Sequence, residues 1–349
     1  MPAISERLQR AWSDRRGIAL ALVPLALLFR ALVVLRRALY GRGWLQRERL
    51  PVPVVVVGNL VAGGAGKTPT VRAIVALLQR SGHQPGIVSR GYGGAHRGVL
   101  AVEPGTPAHL AGDEPLLLRR RSAVPVFVGR DRVAAGRALL RAHPAVDVVV
   151  SDDGLQHLRL ARDAEVLVFD DRGVGNGWLL PAGPLREPLE RVSPAHRLVL
   201  YNAAAPTTPL PGFLATRCLS GALALADWWS GGAPDPQALA ALRGRPVVAA
   251  AGLARPERFF AMLRAHGLDI VALPLPDHFD FASLPWPASA ADVIVTEKDA
   301  VKLPPERTGA ARVWVAALDL LPEPAFEMRL LRLLDARFDA ATAHGNPTA

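Results

Sequence analysis

Lysine is scarce in this chain. There are three, Lys67, Lys298 and Lys302, against a large excess of arginine, so the place of each is informative. Lys67 lies in the stretch "VGNLVAGGAGKTPT", residues 57–70. A phosphate-binding loop reads Gly, four residues, then Gly-Lys-Ser/Thr. Gly66, Lys67 and Thr68 satisfy the end of that pattern; Val61 stands where its first glycine belongs, with Gly63 and Gly64 just inside. The chemistry expected is nucleotide binding. Backbone N–H groups of Gly63, Gly64, Ala65 and Gly66 converge on phosphate oxygens, Lys67 reaches the β- and γ-phosphates of ATP, and Thr68 ligates Mg²⁺. The alternative is a plain glycine-rich turn.

Carboxylates form the next group. "VDVVVSDDGLQH" (146–157) is an apolar strand ending in Asp152 and Asp153, with Gln156 and His157 in the same loop. Ligands bind open α/β sheets beyond the carboxyl ends of strands, and adjacent aspartates repel unless a cation relieves them. The pair is therefore a candidate Mg²⁺ site; an Asp-Gly turn is the alternative. "AGDEPLLL" (111–118) opens a helix on Asp113 and Glu114. Acids there answer the helix dipole, or Asp113 accepts a proton at the sheet edge. "SRGYGG" (89–94) offers Arg90 and Tyr92, and "FVGRDR" (127–132) offers Arg130 and Arg132. "GNGWLLPAGPLREP" (175–188) is stiffened by Gly and Pro and ends in Arg186 and Glu187; a loop this constrained shapes a site. "PLPDHFDF" (274–281) places His278 after a strand, and "VIVTEKDAVKL" (293–303) carries the other two lysines on a charged loop. That loop touches nucleotide or opens an ion-paired helix; its residues do not decide between these.

These residues need elements to hold them. Val54–Val57 is a β-branched apolar run, a buried parallel strand. Val71, Ile74, Val75 and Leu78 share one helical face. Strands are expected at 54–57, 86–89, 125–128, 146–151, 166–170 and 197–201, with helices at 68–80, 113–121, 131–142 and 186–191. This alternation gives a mostly parallel α/β sheet with helices on both faces. "AAAPTTPLPG" (203–212) reads as a linker to a smaller α/β domain. There, strands are expected at 247–251, 269–273, 292–296 and 312–316, with helices at 256–266 and 323–338. The domains are thus 1–45, an N-terminal helix; 46–205, a P-loop core; and 206–340. Asp113 falls in the second of these and His278 in the third, so joint action requires closure.

Length, charge and hydropathy bound the rest. The chain has 349 residues, net charge +10 and one cysteine, Cys218. That excludes an intramolecular disulfide and a cysteine-rich zinc site. The charge favours an anionic partner; the scattered arginines do not make a nucleic-acid site. Ile18–Leu35 is apolar except for Arg30, with Arg7, Arg10, Arg15 and Arg16 before it and Arg36, Arg37 and Arg42 after. A spanning helix needs about 20 apolar residues, and a central arginine costs roughly 2.5–3.5 kcal/mol. A helix lying in an anionic membrane face fits better; a buried core helix is the alternative.

Taken in order, "VGNLVAGGAGKTP", "SRGYGG", "GDEP", "DDGLQH", "GNGWLLPAGPLREP", "DHFDF" and "TEKDAVKL" resemble the tetraacyldisaccharide 4′-kinase family of Gram-negative lipid A biosynthesis. That family shares the non-standard loop opening at Val61. The resemblance implies a P-loop kinase that moves the γ-phosphate of Mg-ATP to the 4′-hydroxyl of an acylated glucosamine disaccharide 1-phosphate. It implies P-loop roles for Lys67 and Thr68, metal-site roles for Asp152 and Asp153, and a base at Asp113 assisted by His278. Gln156 and Glu187 match further active-site positions, and Arg90, Tyr92 and Arg186 are supporting candidates. The place implied is the cytoplasmic face of the bacterial inner membrane, with membrane lipids and the lipid substrate as partners, no nucleic acid and no obligate protein partner. A P-loop switch or partitioning ATPase is the rival; many of those carry a lysine just before the Gly-Gly pair, where this chain has Ala62. A membrane-bound nucleotide sensor is the third possibility.

Overall fold

The structure, a computed structural model, describes Trp12, residues 15–189 and residues 194–344. Arg7 and Arg10 lie outside the described residues, as do residues 190 and 191 of the helix expected at 186–191; residues 186–189 are not helical. Apart from short helices, the chain begins with α1 (Val23–Gly41), β1 (Val54–Gly58), α2 (Lys67–Arg80), β2 (Pro85–Ser89), β3 (Val99–Val102), α3 (Asp113–Ser122), β4 (Val126–Gly129), α4 (Arg132–Ala142), β5 (Val148–Asp152), β6 (Ala164–Asp170) and β7 (Arg197–Asn202). Then follow β8 (Phe213–Ala224), β9 (Pro246–Ala251), α5 (Pro256–Ala265), β10 (Asp269–Pro274), β11 (Asp292–Thr296), α6 (Glu297–Ala300), β12 (Arg312–Pro322) and α7 (Pro324–His344). Strands β3 and β8 have no counterpart in the sequence expectation. Helix α7 runs past Phe338 to His344.

Two compact units result. One gathers the chain up to Arg90, Gly129–Thr216 and the chain from Pro322; the other gathers Gly91–Val128 and Arg217–Leu321. This differs from the expected division into 46–205 and 206–340. The chain leaves the first unit after β2, returns at the end of β4, leaves again within β8 and returns for α7. A linker-like composition marks a loop, but only long-range packing decides which segments share a core.

In the first unit, β7, β6, β1, β5 and β2 are parallel neighbours in that order, and β8 begins beside β7. The valine runs make this possible: Val54–Val57, Val148–Val150 and Val166–Val168 are buried on both faces. Register then aligns the strand ends. Val57 pairs with Asp152, Val88 with Ser151, Gly58 with Leu167, and Asp170 with Asn202. Helix α2 covers the sheet with Val71, Ile74, Val75 and Leu78, all buried. Helix α7 packs on β6 and β7, with Phe326, Leu330 and Leu334 buried.

In the second unit, β10, β9, β11 and β12 are parallel neighbours. Val247, Ala249, Ala251, Ile294, Phe259, Phe260 and Leu263 build its core between the sheet and α5. The small alanines of β9 leave room for the two phenylalanines of the helix above. The carboxyl ends of β9, β10 and β11 open into Gly252, the 275–281 loop and α6, respectively.

Candidate active site

The first unit carries the phosphate loop. Gly66 is the N-cap of α2 in the left-handed region (φ 87°), which a glycine adopts without the Cβ penalty. Lys67 and Thr68 therefore fall in the first turn, where helix N–H groups have no helical partner. The loop's carbonyls are tied back from outside. Fully buried Asn59 donates to the carbonyls of Val61 (2.6 Å) and Gly63 (3.1 Å). Arg172 donates to Gly64 O (2.7 Å) and Ala62 O (3.5 Å), itself held by Asp170 at 3.0 Å. Asn202 donates to Ala65 O (3.2 Å). With its acceptors engaged in this way, the loop turns its donors to the other side, as an anion requires. Asn59, Arg172 and Asn202 escaped the sequence reading, though each follows or ends an apolar strand at the sheet edge, where a polar residue must find a partner.

Lys67 lies between two acceptors: its Nζ is 3.3 Å from Asn59 Oδ1 and 3.6 Å from Asp153 Oδ1. Arg186 approaches the same carboxylate at 3.2 Å, and Arg132 donates to the Asp153 carbonyl at 3.0 Å. Burial works to raise Asp153, but Lys67 and then Arg186 outweigh it and hold its carboxyl below the usual range. Its backbone is left-handed (φ 47°), which turns it away from the line of β5. Asp152 keeps that line, is buried, and accepts from Ser89 Oγ at 3.2 Å. The adjacent aspartates thus have different surroundings, one salt-bridged and one buried at the strand end. Together with the Thr68 hydroxyl they offer hard oxygen donors. Among the described residues no three His, Cys, Asp or Glu side chains form a ready metal cage. One or two carboxylates completed by substrate phosphates is the usual Mg²⁺ arrangement, and these residues fit it.

The 175–188 segment borders the same loop. Ala62 N–H donates to Pro184 O (2.8 Å), Arg186 N–H donates to Leu60 O (2.7 Å), and Val61 and Leu185 form an antiparallel bridge. This is how Arg186 reaches Asp153. Glu187 is buried; burial pushes its carboxyl up, opposed by Arg37 of α1 at 3.3 Å. Gln156 donates to Asn59 O at 3.4 Å and hydrogen-bonds Glu187. Arg90 is exposed at the end of β2.

The second unit brings Asp113 and His278 together. His278 Nδ1 lies 2.9 Å from Asp113 Oδ2, and Lys302 Nζ lies 3.3 Å from the same oxygen. Burial works to raise Asp113, but the His278 hydrogen bond and then Lys302 outweigh it, so the carboxyl is held below its ordinary value. Both residues belong to one compact unit, so the closure expected to unite them is not needed. Nor does the Asp113 side chain cap α3: Gly112 is the N-cap and Asp113 the first helical residue. Tyr92 is 70% exposed, with its ring centroid 6.0 Å from that of His278. Gly112 permits this approach, since its φ is 92° and a Cβ there would stand 2.4 Å from Tyr92 O. Lys302 is the residue of this cluster whose place the sequence left open.

A parallel sheet whose central strand runs through a glycine loop with Gly-Lys-Thr into a helix defines a P-loop kinase fold. The model of the tetraacyldisaccharide-1-P 4′-kinase family matches residues 18–335. The chain belongs to that family. Two tetraacyldisaccharide 4′-kinases illustrate the likeness. That of Leptothrix cholodnii is 58% identical over 339 residues, covering 96% of this chain and 97% of its own. That of Methylibium petroleiphilum is 59% identical over 324 residues, covering 91% and 90%. The crystal structure of LpxK from Aquifex aeolicus in complex with ATP superposes with a TM-score of 0.76 at 29% identity, over 91% of this chain and all of that one.

Proposed function

We propose that this chain transfers the γ-phosphate of ATP to the 4′-hydroxyl of a tetraacylated glucosamine disaccharide 1-phosphate in lipid A biosynthesis. The observation that carries this is a family match that runs unbroken through both the phosphate loop and the Asp113–His278 pair. Loop N–H groups and Lys67 bind the β- and γ-phosphates. Thr68, Asp152 and Asp153 would hold Mg²⁺, which would neutralise charge on the phosphate oxygens. The bond from the γ-phosphorus to the β-bridging oxygen breaks, a bond to the sugar oxygen forms, and ADP leaves. The hydroxyl proton passes to Asp113. A sugar hydroxyl is a weak acid, so this transfer happens only as the loose transition state is passed. His278 orients the carboxylate throughout. Gln156, Glu187, Arg186, Arg90 and Tyr92 line or support the two substrates.

The acceptor's acyl chains set the place. No described helix is long and apolar enough to cross a membrane. Helix α1 instead buries only Ala26 and exposes Leu25, Leu28, Leu32 and Leu35. We place it in the headgroup region at the cytoplasmic face of the inner membrane, where ATP is available.

Labelled γ-phosphate should move to disaccharide lipid in mixed micelles, only with Mg²⁺ present, and Asp113→Ala should abolish transfer while ATP still binds. Steady ATP hydrolysis indifferent to the lipid would instead identify a P-loop switch.

A further inference from the structure

The Lys302 side chain is only 8% exposed, and it sits between two carboxylates: Asp113 at 3.3 Å and Asp299 at 3.7 Å. Its Nζ makes no hydrogen bond of good geometry among the described residues, so its hold on both acids is chiefly that of charge on charge. Asp299 is wholly buried and cannot follow it. Its Oδ2 accepts from Thr296 Oγ1 (2.6 Å) and Gly252 N–H (3.0 Å) at the ends of β11 and β9. Burying a lysine is costly unless its charge is used. A structural ion pair would need one carboxylate. Here a fixed inner acid anchors the ammonium, and the outer acid is the proposed base.

A second observation concerns the loop after β10. His278 (φ 61°) and Phe281 (φ 53°) are both left-handed non-glycine residues, a strained backbone that surrounding contacts must hold. That backbone places the His278 imidazole on Asp113 and the buried Phe281 ring 5.8 Å from Lys302 Nζ. The nearest contact of each group to Asp113 falls on Oδ2, so Oδ1 is the oxygen they approach less closely.

We infer that Lys302 is a positioning residue for phosphoryl transfer: anchored by Asp299, it keeps the Asp113 carboxylate ionised and Oδ2 engaged, so that Oδ1 takes the proton of the acceptor hydroxyl. This rests on the role proposed above for Asp113. The charged and titratable groups around Asp113 are His278 and, behind it, Tyr92; Lys302 and, behind it, Asp299; the Asp277–Lys298 pair (2.7 Å) on the same two segments; and, on its own helix, Glu114 and the Arg121 that pairs with Glu297. Lys302 is the ammonium in contact with the carboxylate, and His278 is its hydrogen-bond partner.

Without Lys302, one of the two groups that offset burial is lost and Asp113 holds its proton to higher pH. In Lys302→Met the acid limb of kcat against pH should rise by about one to three pH units, with KM for ATP unchanged. The double variant Lys302→Met/Asp299→Asn, which removes the acid otherwise left buried and unpaired, should show the same shift with better folding. Lys302→Arg should restore most of the parent profile. Profiles of both methionine variants that superimpose on the parent, whatever their thermal stability, would overturn the inference. Full activity in Asp113→Asn would instead overturn the proposed base, so the two failures are distinguishable.

Discussion

Asp113 touches both His278 and Lys302 through one oxygen, and this contact makes the two sequence candidates a unit. Groups that act as a unit lose rate non-additively. Asp113→Ala and His278→Ala should each lower kcat strongly with little change in KM for ATP, and the double variant should be scarcely slower than the worse single one. Rates that multiply would rule out the pair. A purely structural aspartate would instead cost stability and little rate; turnover and thermal unfolding measured on all three variants separate the two cases. At this scale the sequence was informative where a residue type is rare in its setting: the Gly-Lys-Thr step, the doubled aspartate, a loop histidine. It was silent on Lys302, because the acid that gives that lysine its meaning is distant in the chain.

Strand ends, rather than single residues, organise the nucleotide half of the chemistry. Valine runs made the parallel strands legible, and register does the rest: once Val57 pairs with Asp152, the phosphate loop and the aspartates share an edge. What could not be read was the bracing. Asn59, Arg172 and Asn202 act on loop carbonyls from three different strand ends, a relation that local patterns do not record. The loop after β5 is braced similarly by Arg162, which donates to Leu155 O (3.0 Å) and His157 O (2.7 Å) and pairs with Glu165 at 3.1 Å. It holds His157 where burial, then the charge of Arg132, push its pKa down to about 4. A histidine depressed in the folded state stabilises above its ordinary value, 6.5, and that stability is lost as pH falls through about 4. Solvent screening of this partly exposed ring keeps the loss to about 1–3 kcal/mol. Unfolding midpoints should therefore fall between pH 6.5 and 4 more steeply than in His157→Gln; parallel curves for the two proteins would refute the assignment.

The whole molecule has a net charge of +10 and an N-terminal helix whose leucines face outward. Leu25, Leu28, Leu32 and Leu35 recur at helical spacing and are 53–57% exposed, so α1 carries an apolar stripe that the described chain does not cover. The stripe was legible from the sequence; that it faces outward was not, since a buried core helix has the same periodicity. Pro24 falls in the first turn, where no hydrogen bond is lost. Arg37 ties α1 to Glu187 in the 175–188 segment, so the helix has a fixed place on its unit. A lipid surface with anionic headgroups answers both the stripe and the charge. Burying one leucine is worth about 1.5–3 kcal/mol, so Leu28→Ser/Leu32→Ser/Leu35→Ser removes several kcal/mol of membrane affinity and leaves Arg37 in place. The variant should fail to co-sediment with vesicles containing anionic lipid, while its unfolding midpoint and ATP binding match the parent. High salt should weaken the parent's binding only in part, since the arginine share is screened and the leucine share is not. Undiminished co-sedimentation of the triple variant would show that α1 does not hold this protein at the bilayer.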